Sequence, residues 1–348
     1  MKVLHLLQSD RFSGAENVVC QIIGVFKDNP DIEMAYCSRD GQIRDALDER
    51  RIKFYPITNL KISEVKRVIH EYQPDIIHAH DMRASFTAAL CCGKIPLVSH
   101  IHNNSFGSRG LSVKSIAYVI AALKAKHIFW VSRSAYEGYF FKNLFKKKSS
   151  VLQNIIDIDN VYQKMNSDVD TYDYDIIYVG RLTYPKNPQR LIGVLKKVVE
   201  KLPDVKIGII GTGDLESDVI NLCNEFGMQN NVDFLGFQNN PYKMLFNSKV
   251  MIMTSRWEGT PMCALEAQSL GVPIVSTPTD GLVDIITDGE NGFLSENDDV
   301  LAERLCRVVS DNELRLKISD SAKSKMQVMM DKKSYAESIA KVYGLLNG

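Results

Sequence analysis

VMIMTSRWEGTPMCALEAQSLGVPIVST, residues 250–277, decides the fold class. VMIMTS (250–255) is apolar enough for a buried strand. A polar loop, 256–259, follows. Thr260 is a residue type that caps helix N-termini and Pro261 suits a first helical position, so a helix is predicted from 261. PIVST (273–277) is the next strand. Strand, helix, strand without a hairpin turn is the unit of a parallel α/β sheet.

The same alternation extends in both directions. VLHLL (3–7) precedes a helical pattern over 15–27, and IEMAYC (32–37) precedes one over 42–50. DIIHAH (75–80), PLVSHI (96–101) and HIFWVS (127–132) are strands, followed by helices over 82–92, 114–125 and 133–143. Residues 157–175 are polar, acidic and weakly periodic, which reads as an interdomain connection. Alternation restarts with DIIYVG (175–180), a helix over 187–201, VKIGIIG (205–211), a helix over 214–226 and VDFLG (232–236). Helical patterns over 297–310, 312–326 and 331–346 close the chain. Two α/β units are expected, with ligands at the carboxyl ends of the strands.

Composition fits a globular protein: 348 residues, 45% hydrophobic and 24% charged, with no apolar run long enough to span a bilayer. MKVLHLL is too short for a signal peptide and suits a first buried strand. Seven scattered cysteines without a CxxC read as reduced core thiols of a cytosolic protein. Net charge is zero but uneven. Residues 1–165 hold 23 Lys/Arg against 16 Asp/Glu, and residues 82–148 hold eleven cations against one acid, Glu137. That bias points to an anionic partner. Phe140, Phe141, Leu144 and Phe145 beside Lys142, Lys146, Lys147 and Lys148 suit shallow binding of 109–148 to an anionic membrane surface. A basic helix face with core aromatics is the alternative.

Three strand ends carry candidate chemistry. At 258–266, Glu258 in the loop and Glu266 inside the helix could face one ligand from two sides, while the N–H groups of 262–264 offer an anion site. Capping plus a solvated glutamate is the plainer reading. In YVGRLTYPKNP (178–188), Arg181 and Lys186 flank a turn before a helix starting at Asn187-Pro188, a phosphate-binding pattern or two surface cations. In SDRFSGAENVV (9–19), Gly14 permits close backbone approach and Glu16 suits a first helical turn. The GTGD stretch (211–214) reads as a simple turn.

Together these motifs resemble retaining glycosyltransferases of family 4, in the glycogen-synthase-like clan with the GT-B fold. The likeness runs along nearly the whole chain. Glu258 to Glu266 matches the family's E-x7-E element, followed by Gly271-Val272-Pro273-Ile274-Val275. Gly180-Arg181-Leu182 with Lys186 matches its diphosphate-binding strand end, and Ser13-Gly14-Ala15-Glu16 its N-terminal glycine loop. PLVSHIHNN places its active-site histidine at His102. VLQNIID places its V-x-x-N-G-x-D element at Asn154, with Ile155 where glycine is usual.

The resemblance implies two Rossmann-like, doubly wound domains facing each other across a cleft. These would be an acceptor domain over 1–160, a nucleotide-sugar domain over 170–330, and a helix over 331–348 crossing back to the first. It implies transfer of a sugar, with retention, from a nucleotide diphosphate sugar to a glycan or lipid-linked acceptor in polysaccharide or lipopolysaccharide synthesis. UDP is the family's commonest nucleotide. Arg181, Lys186, Glu258 and His102 would be catalytic. Gly14, Glu266, Gly259, Thr260, Pro261, Met262 and Asn154 would bind donor. No cofactor or metal is implied, and the site would be cytoplasmic or at the inner face of the cell membrane. Lys186→Ala is expected to cut turnover far more than stability.

Other readings are weaker. A sugar-nucleotide epimerase or a non-catalytic binder would use the same cleft. His78-x-His80 and His100-x-His102 each share a strand face, as metal ligands can, but no third ligand has clear spacing. The Asp-x-Asp pairs 157/159, 168/170 and 173/175 lie in or beside the acidic connection. Aromatics and cations mix over 130–148, yet the chain is neutral and carries no nucleic-acid module signature, so no nucleic-acid partner is expected.

Overall fold

The computed structural model describes residues 1–102, 110–279 and 281–345. The chain divides into two compact units, Met1–Ile155 with Asp331–Gly348, and Ile156–Met330. The first contains β1 (Lys2–Leu6), α1 (Gly14–Val25), β2 (Glu33–Arg39), α2 (Ile43–Glu49), β3 (Lys53–Ile57), α3 (Ile62–Tyr72), β4 (Ile76–His80) and α4 (Asp81–Cys91). It continues with β5 (Leu97–Ile101), α5 (Val113–Lys124), β6 (His127–Trp130), α6 (Arg133–Gly138) and β7 (Ser149–Val151). All its strands are parallel, in the order β3-β2-β1-β4-β5-β6-β7.

The second unit contains α7 (Ile158–Ser167), β8 (Ile176–Val179), α8 (Pro188–Lys201), β9 (Ile207–Ile210), α9 (Glu216–Glu225), β10 (Val232–Gly236) and α10 (Tyr242–Asn247). Then come β11 (Val250–Met253), α11 (Met262–Ser269), β12 (Ile274–Ser276), α12 (Leu282–Ile285), β13 (Gly292–Leu294), α13 (Asp298–Ser310) and α14 (Asn312–Met329). Its sheet is also parallel, in the order β10-β9-β8-β11-β12-β13. The last helix, α15 (Lys332–Tyr343), belongs to the first unit, where the Tyr343 hydroxyl lies 2.6 Å from His78 Nδ1.

Strands β4, β5, β9 and β11 are buried along their whole length, as strands are when helices cover both faces of a sheet; β9 and β11 are nearly continuous Ile/Val/Met runs, while β4 and β5 also bury histidines. Trp130, Tyr118 and Tyr139 fill the first core, and Tyr178, Leu191 and Leu195 the second. The sequence pattern does not give β3, α3, β7, α7, α10, α12 and β13, and for β3 and α7 the reason is physical. KFYPI (53–57) is only partly buried and holds Pro56, which an edge strand such as β3 tolerates. The acidic stretch after 157 is not irregular from its start: Asp157 caps α7 by accepting from the Asn160 N–H, and the helix buries Val161 and Met165.

Each sheet reverses its strand order once, between β1 and β4 and between β8 and β11. The loops leaving those strands diverge and open a crevice at their carboxyl ends. Glycine geometry shapes the second crevice. Gly211 has φ +130, and a Cβ there would lie 2.0 Å from the Gly180 carbonyl oxygen. A Cβ on Gly213 would lie 2.2 Å from the Leu182 oxygen. The GTGD stretch therefore does more than turn: it seats the loop after β8, where Leu182 N–H donates to Thr212 O and Leu215 N–H to Leu182 O. Gly14, by contrast, has nothing within 4 Å of a built Cβ. Gly211→Ala should cost about 2–4 kcal/mol in denaturant unfolding, combining a clash with a disfavoured φ, whereas Gly14→Ala should stay within about 0.5 kcal/mol of wild type. Equal effects of the two would contradict the packing described here.

Candidate active site

The second crevice is lined by loops 180–187 and 254–261. After β8 the chain passes through Arg181, which is exposed and takes no acceptor among the described residues. Lys186 lies deeper, and its Nζ donates to Glu258 Oε1 at 2.5 Å. Ser255 Oγ donates to the same oxygen at 2.5 Å. Burial works against the Lys186 ammonium, but the Glu258 carboxylate outweighs it and raises the lysine pKa. The loops are stitched together. Arg256 N–H donates to Pro185 O at 2.8 Å, and its guanidinium donates to Asn187 Oδ1 at 2.8 Å while lying 4.4 Å from the Tyr184 ring centroid. Asn187, left-handed at φ 54, does start α8 with Pro188 after it, but its side chain serves Arg256 instead of the helix.

The helix after β11 begins one residue later than the sequence suggests. Pro261 is the cap residue of α11 and Met262 its first residue, so Thr260 is not the cap. The Ala264 N–H already bonds to Pro261 O, which leaves the N–H groups of Met262 and Cys263 without an acceptor among the described residues. Among the described residues no side chain caps this end. A helix end in that condition attracts an anion. Gly259 packs against Gly281, where a Cβ would lie 1.6 Å from the Gly259 oxygen.

Glu266 sits one turn into α11 and accepts from the Tyr242 hydroxyl at 3.2 Å. Burial pushes its pKa up to about 7, against the Tyr242 bond and the Lys164 charge, which pull it down. The Cys263 thiol, pushed up to about 12 by burial, is also within electrostatic reach of Lys186, Glu258 and Glu266. Lys186 in turn feels Arg181 and Cys263. Arg181, Lys186, Glu258, Glu266 and the start of α11 therefore share one site. Gly259, Thr260, Pro261 and Met262 form its rim; Thr260, Pro261 and Met262 are buried.

Gly14, His102 and Asn154 belong to the first unit. Gly14 opens α1 at the switch point. Ser13 Oγ donates to Glu16 Oε2 at 2.5 Å, and burial raises the Glu16 pKa. Asn154 is buried just after β7. His102 follows β5; its N–H donates to Asp81 Oδ1 at 3.1 Å. Asp81 begins α4 with φ +68, an uncommon conformation that Asp tolerates better than most residues. A hollow of about 300 Å³ adjoins this switch point, lined by Glu16, Arg39, His80, Asp81 and Arg83 among others.

The sequence missed His5. Its position on β1 gave no signal until register placed it opposite His78, as His80 lies opposite His100. His5 Nδ1 is 3.0 Å from His80 Nε2, and His80 Nδ1 is 2.8 Å from His102 Nε2. The groups His5/His78/His80 and His80/His100/His102 hold ring nitrogens within 4.8 Å of one another, close enough to be considered for a metal ion. Burial lowers the His5 and His102 pKa to about 3, so these rings are neutral.

The basic segment divides in two. Phe145 is core and Phe141 packs on it, which corrects the expectation that both face outward. Phe140 and Leu144 are exposed. Helix α5 adds a stripe the sequence reading overlooked: Val113, Ile116, Ile120 and Leu123 are all exposed, at spacings that put them on one helix face. Lys148 Nζ donates to Leu123 O and Ala125 O, joining the two patches. Residue 109 lies outside the described residues.

A folded pKa for Glu266 above the ordinary glutamate value means that the folded chain binds this proton more tightly than the unfolded one. Its contribution is full below about pH 4 and is lost as pH rises through about 7. Between about pH 5 and 8 the second unit should lose on the order of 3 kcal/mol from this group. Glu266→Gln should flatten that slope in urea titrations at the two pH values. Parallel slopes would show that the carboxyl is not buried as described.

Residues 13–160 match Glycosyltransferase Family 4, and residues 163–325 match glycosyl transferases group 1. An uncharacterized glycosyltransferase of Methanocaldococcus jannaschii, MJ1059, is 31% identical over 237 residues, covering 62% of this chain and 58% of that protein. The Escherichia coli UDP-Gal:alpha-D-GlcNAc-diphosphoundecaprenol alpha-1,3-galactosyltransferase is 25% identical over 349 residues, covering 91% and 90%. The Anabaena protein Alr3699/HepE, solved in complex with UDP-glucose, superimposes with TM-score 0.87 at 22% identity over 99% of this chain and 100% of that one. The two family matches between them run from residue 13 to 325, and with the two parallel doubly wound sheets they support a glycosyltransferase of the GT-B fold.

Proposed function

We propose that this protein is a retaining glycosyltransferase that moves a hexose from a UDP-sugar to a glycan or lipid-linked acceptor in polysaccharide or lipopolysaccharide synthesis. One observation carries the reading: an unpaired guanidinium, Arg181, and an uncapped helix end share a crevice with the Lys186–Glu258 pair and Glu266. That is a site for a diphosphate flanked by hydroxyl-rich groups. The UDP-glucose complex of the Anabaena neighbour and the donor in the E. coli relative's name support the choice of nucleotide. The diphosphoundecaprenol in that same name supports a lipid-linked acceptor.

In this reading Arg181 and two remaining Lys186 protons meet the diphosphate, together with the Met262 and Cys263 N–H groups. Glu266 accepts from the ribose hydroxyls; Glu258, held by Lys186 and Ser255, accepts from the sugar. Gly259, Thr260 and Pro261 shape the rim. In the first unit, Gly14, whose Cα faces open space, lets a ligand approach α1, and His102 and Asn154 contact ligand there. The acceptor oxygen bonds to the anomeric carbon on the face that the diphosphate leaves, and the acceptor proton passes to the departing phosphate oxygen. Positive charge from Arg181, Lys186 and the helix end takes the place of a metal ion.

The Lys186–Glu258 pair revises the expected behaviour of Lys186→Ala. Removing the lysine strands a buried carboxylate, so stability falls along with turnover. Arg181→Ala is the cleaner test. It should lower kcat/KM roughly 100-fold with the melting temperature nearly unchanged, and a chelator should leave wild-type turnover intact. Saturating UDP-hexose should raise the melting temperature, since a ligand of the folded state stabilises by RT ln(1 + [L]/Kd). Full activity in Arg181→Ala, or conversion of a UDP-sugar to its epimer without acceptor, would replace this reading.

The same proposal places the enzyme against an anionic membrane surface. No helix among the described residues is long and apolar enough to cross a membrane. The α5 stripe instead suits shallow docking: Val113 is 86% exposed and Leu123 67%, amid a segment rich in lysine. Ile116→Ser with Ile120→Ser should weaken sedimentation with phosphatidylglycerol-containing vesicles roughly tenfold or more. Equal binding to phosphatidylcholine vesicles, or none to either, would refute the docking face.

A further inference from the structure

We infer that His80, backed by His5, is a positioning residue that holds His102 as an uncharged imidazole with its proton on Nδ1. The inference goes beyond the transferase reading, and only its catalytic consequence rests on that reading. Three strands bring the rings together: His5 from β1, His80 from β4, and His102 just past β5. The chain of contacts is His5 Nδ1 to His80 Nε2 at 3.0 Å and His80 Nδ1 to His102 Nε2 at 2.8 Å. Both nitrogens of His80 are thus engaged, one as donor and one as acceptor.

Three neutral imidazoles carry three N–H groups. The two hydrogen bonds use two, so the third must sit at one end, on His5 Nε2 or on His102 Nδ1. Neither atom has a partner among the described residues, and both are closed to water in this structure. His5 is fully buried within a central strand, where a bare donor is a state proteins rarely keep. His102 is only partly buried as a residue and lies at the carboxyl end of the sheet, where an arriving ligand can accept the bond. The chain therefore runs from His5 Nδ1–H to His80 Nε2, then from His80 Nδ1–H to His102 Nε2. His102 is left with its proton on Nδ1, at the end of the chain of rings that lies at the carboxyl edge of the sheet.

The contacts also argue against an ion between these rings. Nitrogens around a tetrahedral zinc with bonds of about 2.0–2.1 Å stand about 3.3 Å apart. Both observed contacts are shorter and suit hydrogen bonds. Burial favours uncharged rings along the whole chain. For glycosyl transfer the consequence is specific. An uncharged donor can orient a sugar oxygen without setting a cation beside the positive charge that develops at the anomeric carbon.

The experiment uses the full chain labelled with [15N]histidine, without donor. A two-bond 1H–15N correlation reads which ring nitrogen carries the proton, and His102→Gln identifies the His102 signals. Wild type should show His102 protonated at Nδ1 and uncharged between about pH 5 and 8. His80→Leu should shift His102 toward the Nε2–H form and lower kcat roughly tenfold or more, with donor KM changed less than about threefold. His80→Asn, whose amide reaches the Nδ1 position, should restore the Nδ1–H form and most of kcat, and it keeps the test open should His80→Leu fail to fold. An Nε2–H His102 in wild type, or an unchanged tautomer in His80→Leu, overturns the inference. So do His102 signals that zinc displaces and a chelator restores. The expected tautomer in a chain without transferase activity would instead count against the function proposed above and leave this arrangement standing.

Discussion

A parallel sheet sends the carboxyl ends of all its strands to one edge, and where strand order reverses, the outgoing loops must part. This constraint governs each unit of the protein. Between β8 and β11 it brings out side by side the loop that carries Arg181 and Lys186 and the loop that carries Glu258. Between β1 and β4 it opens the hollow beside Glu16, His80 and Asp81. Residues far apart in sequence meet in these places because the chain leaves the sheet there in opposite directions.

What fills the second crevice is a balance of charge. Lys186 and Glu258 satisfy each other, and a buried pair of this kind contributes little net stability but is costly to break. Its worth lies in placement: the pair fixes an ammonium and a carboxylate beside an uncapped helix end while Arg181 stays unspent. Backbone geometry supports the arrangement from behind. Gly211 and Gly213 press on the loop after β8, and Gly281 presses on Gly259. No larger residue could occupy those positions without moving the site.

The first unit solves a different problem. Five histidines share the region around β1, β4 and β5, with ring centroids as close as 4.2 Å. Four of the five are buried and burial keeps the rings uncharged, while His5, His78, His80 and His102 find partners among themselves or in Tyr343. Hydrogen bonds between imidazoles are directional, and each one constrains the tautomer of the next. A side chain at the site can in this way be set by another two strands away.

The sequence alone determined the parallel α/β class, because apolar runs of strand length alternate with helical periodicity and both follow from local side-chain chemistry. It also marked Arg181, Lys186, Glu258 and Glu266, since cations and acids at strand ends stand out against an apolar background. Edge strand β3 and helix α7 were illegible, one masked by a proline and the other by acidic composition. The pairing of Lys186 with Glu258, the membership of His5 in the histidine chain and the division of the aromatics between core and surface were decided only in three dimensions. Register between strands and the direction in which a loop turns depend on contacts between distant segments, and no local pattern records them.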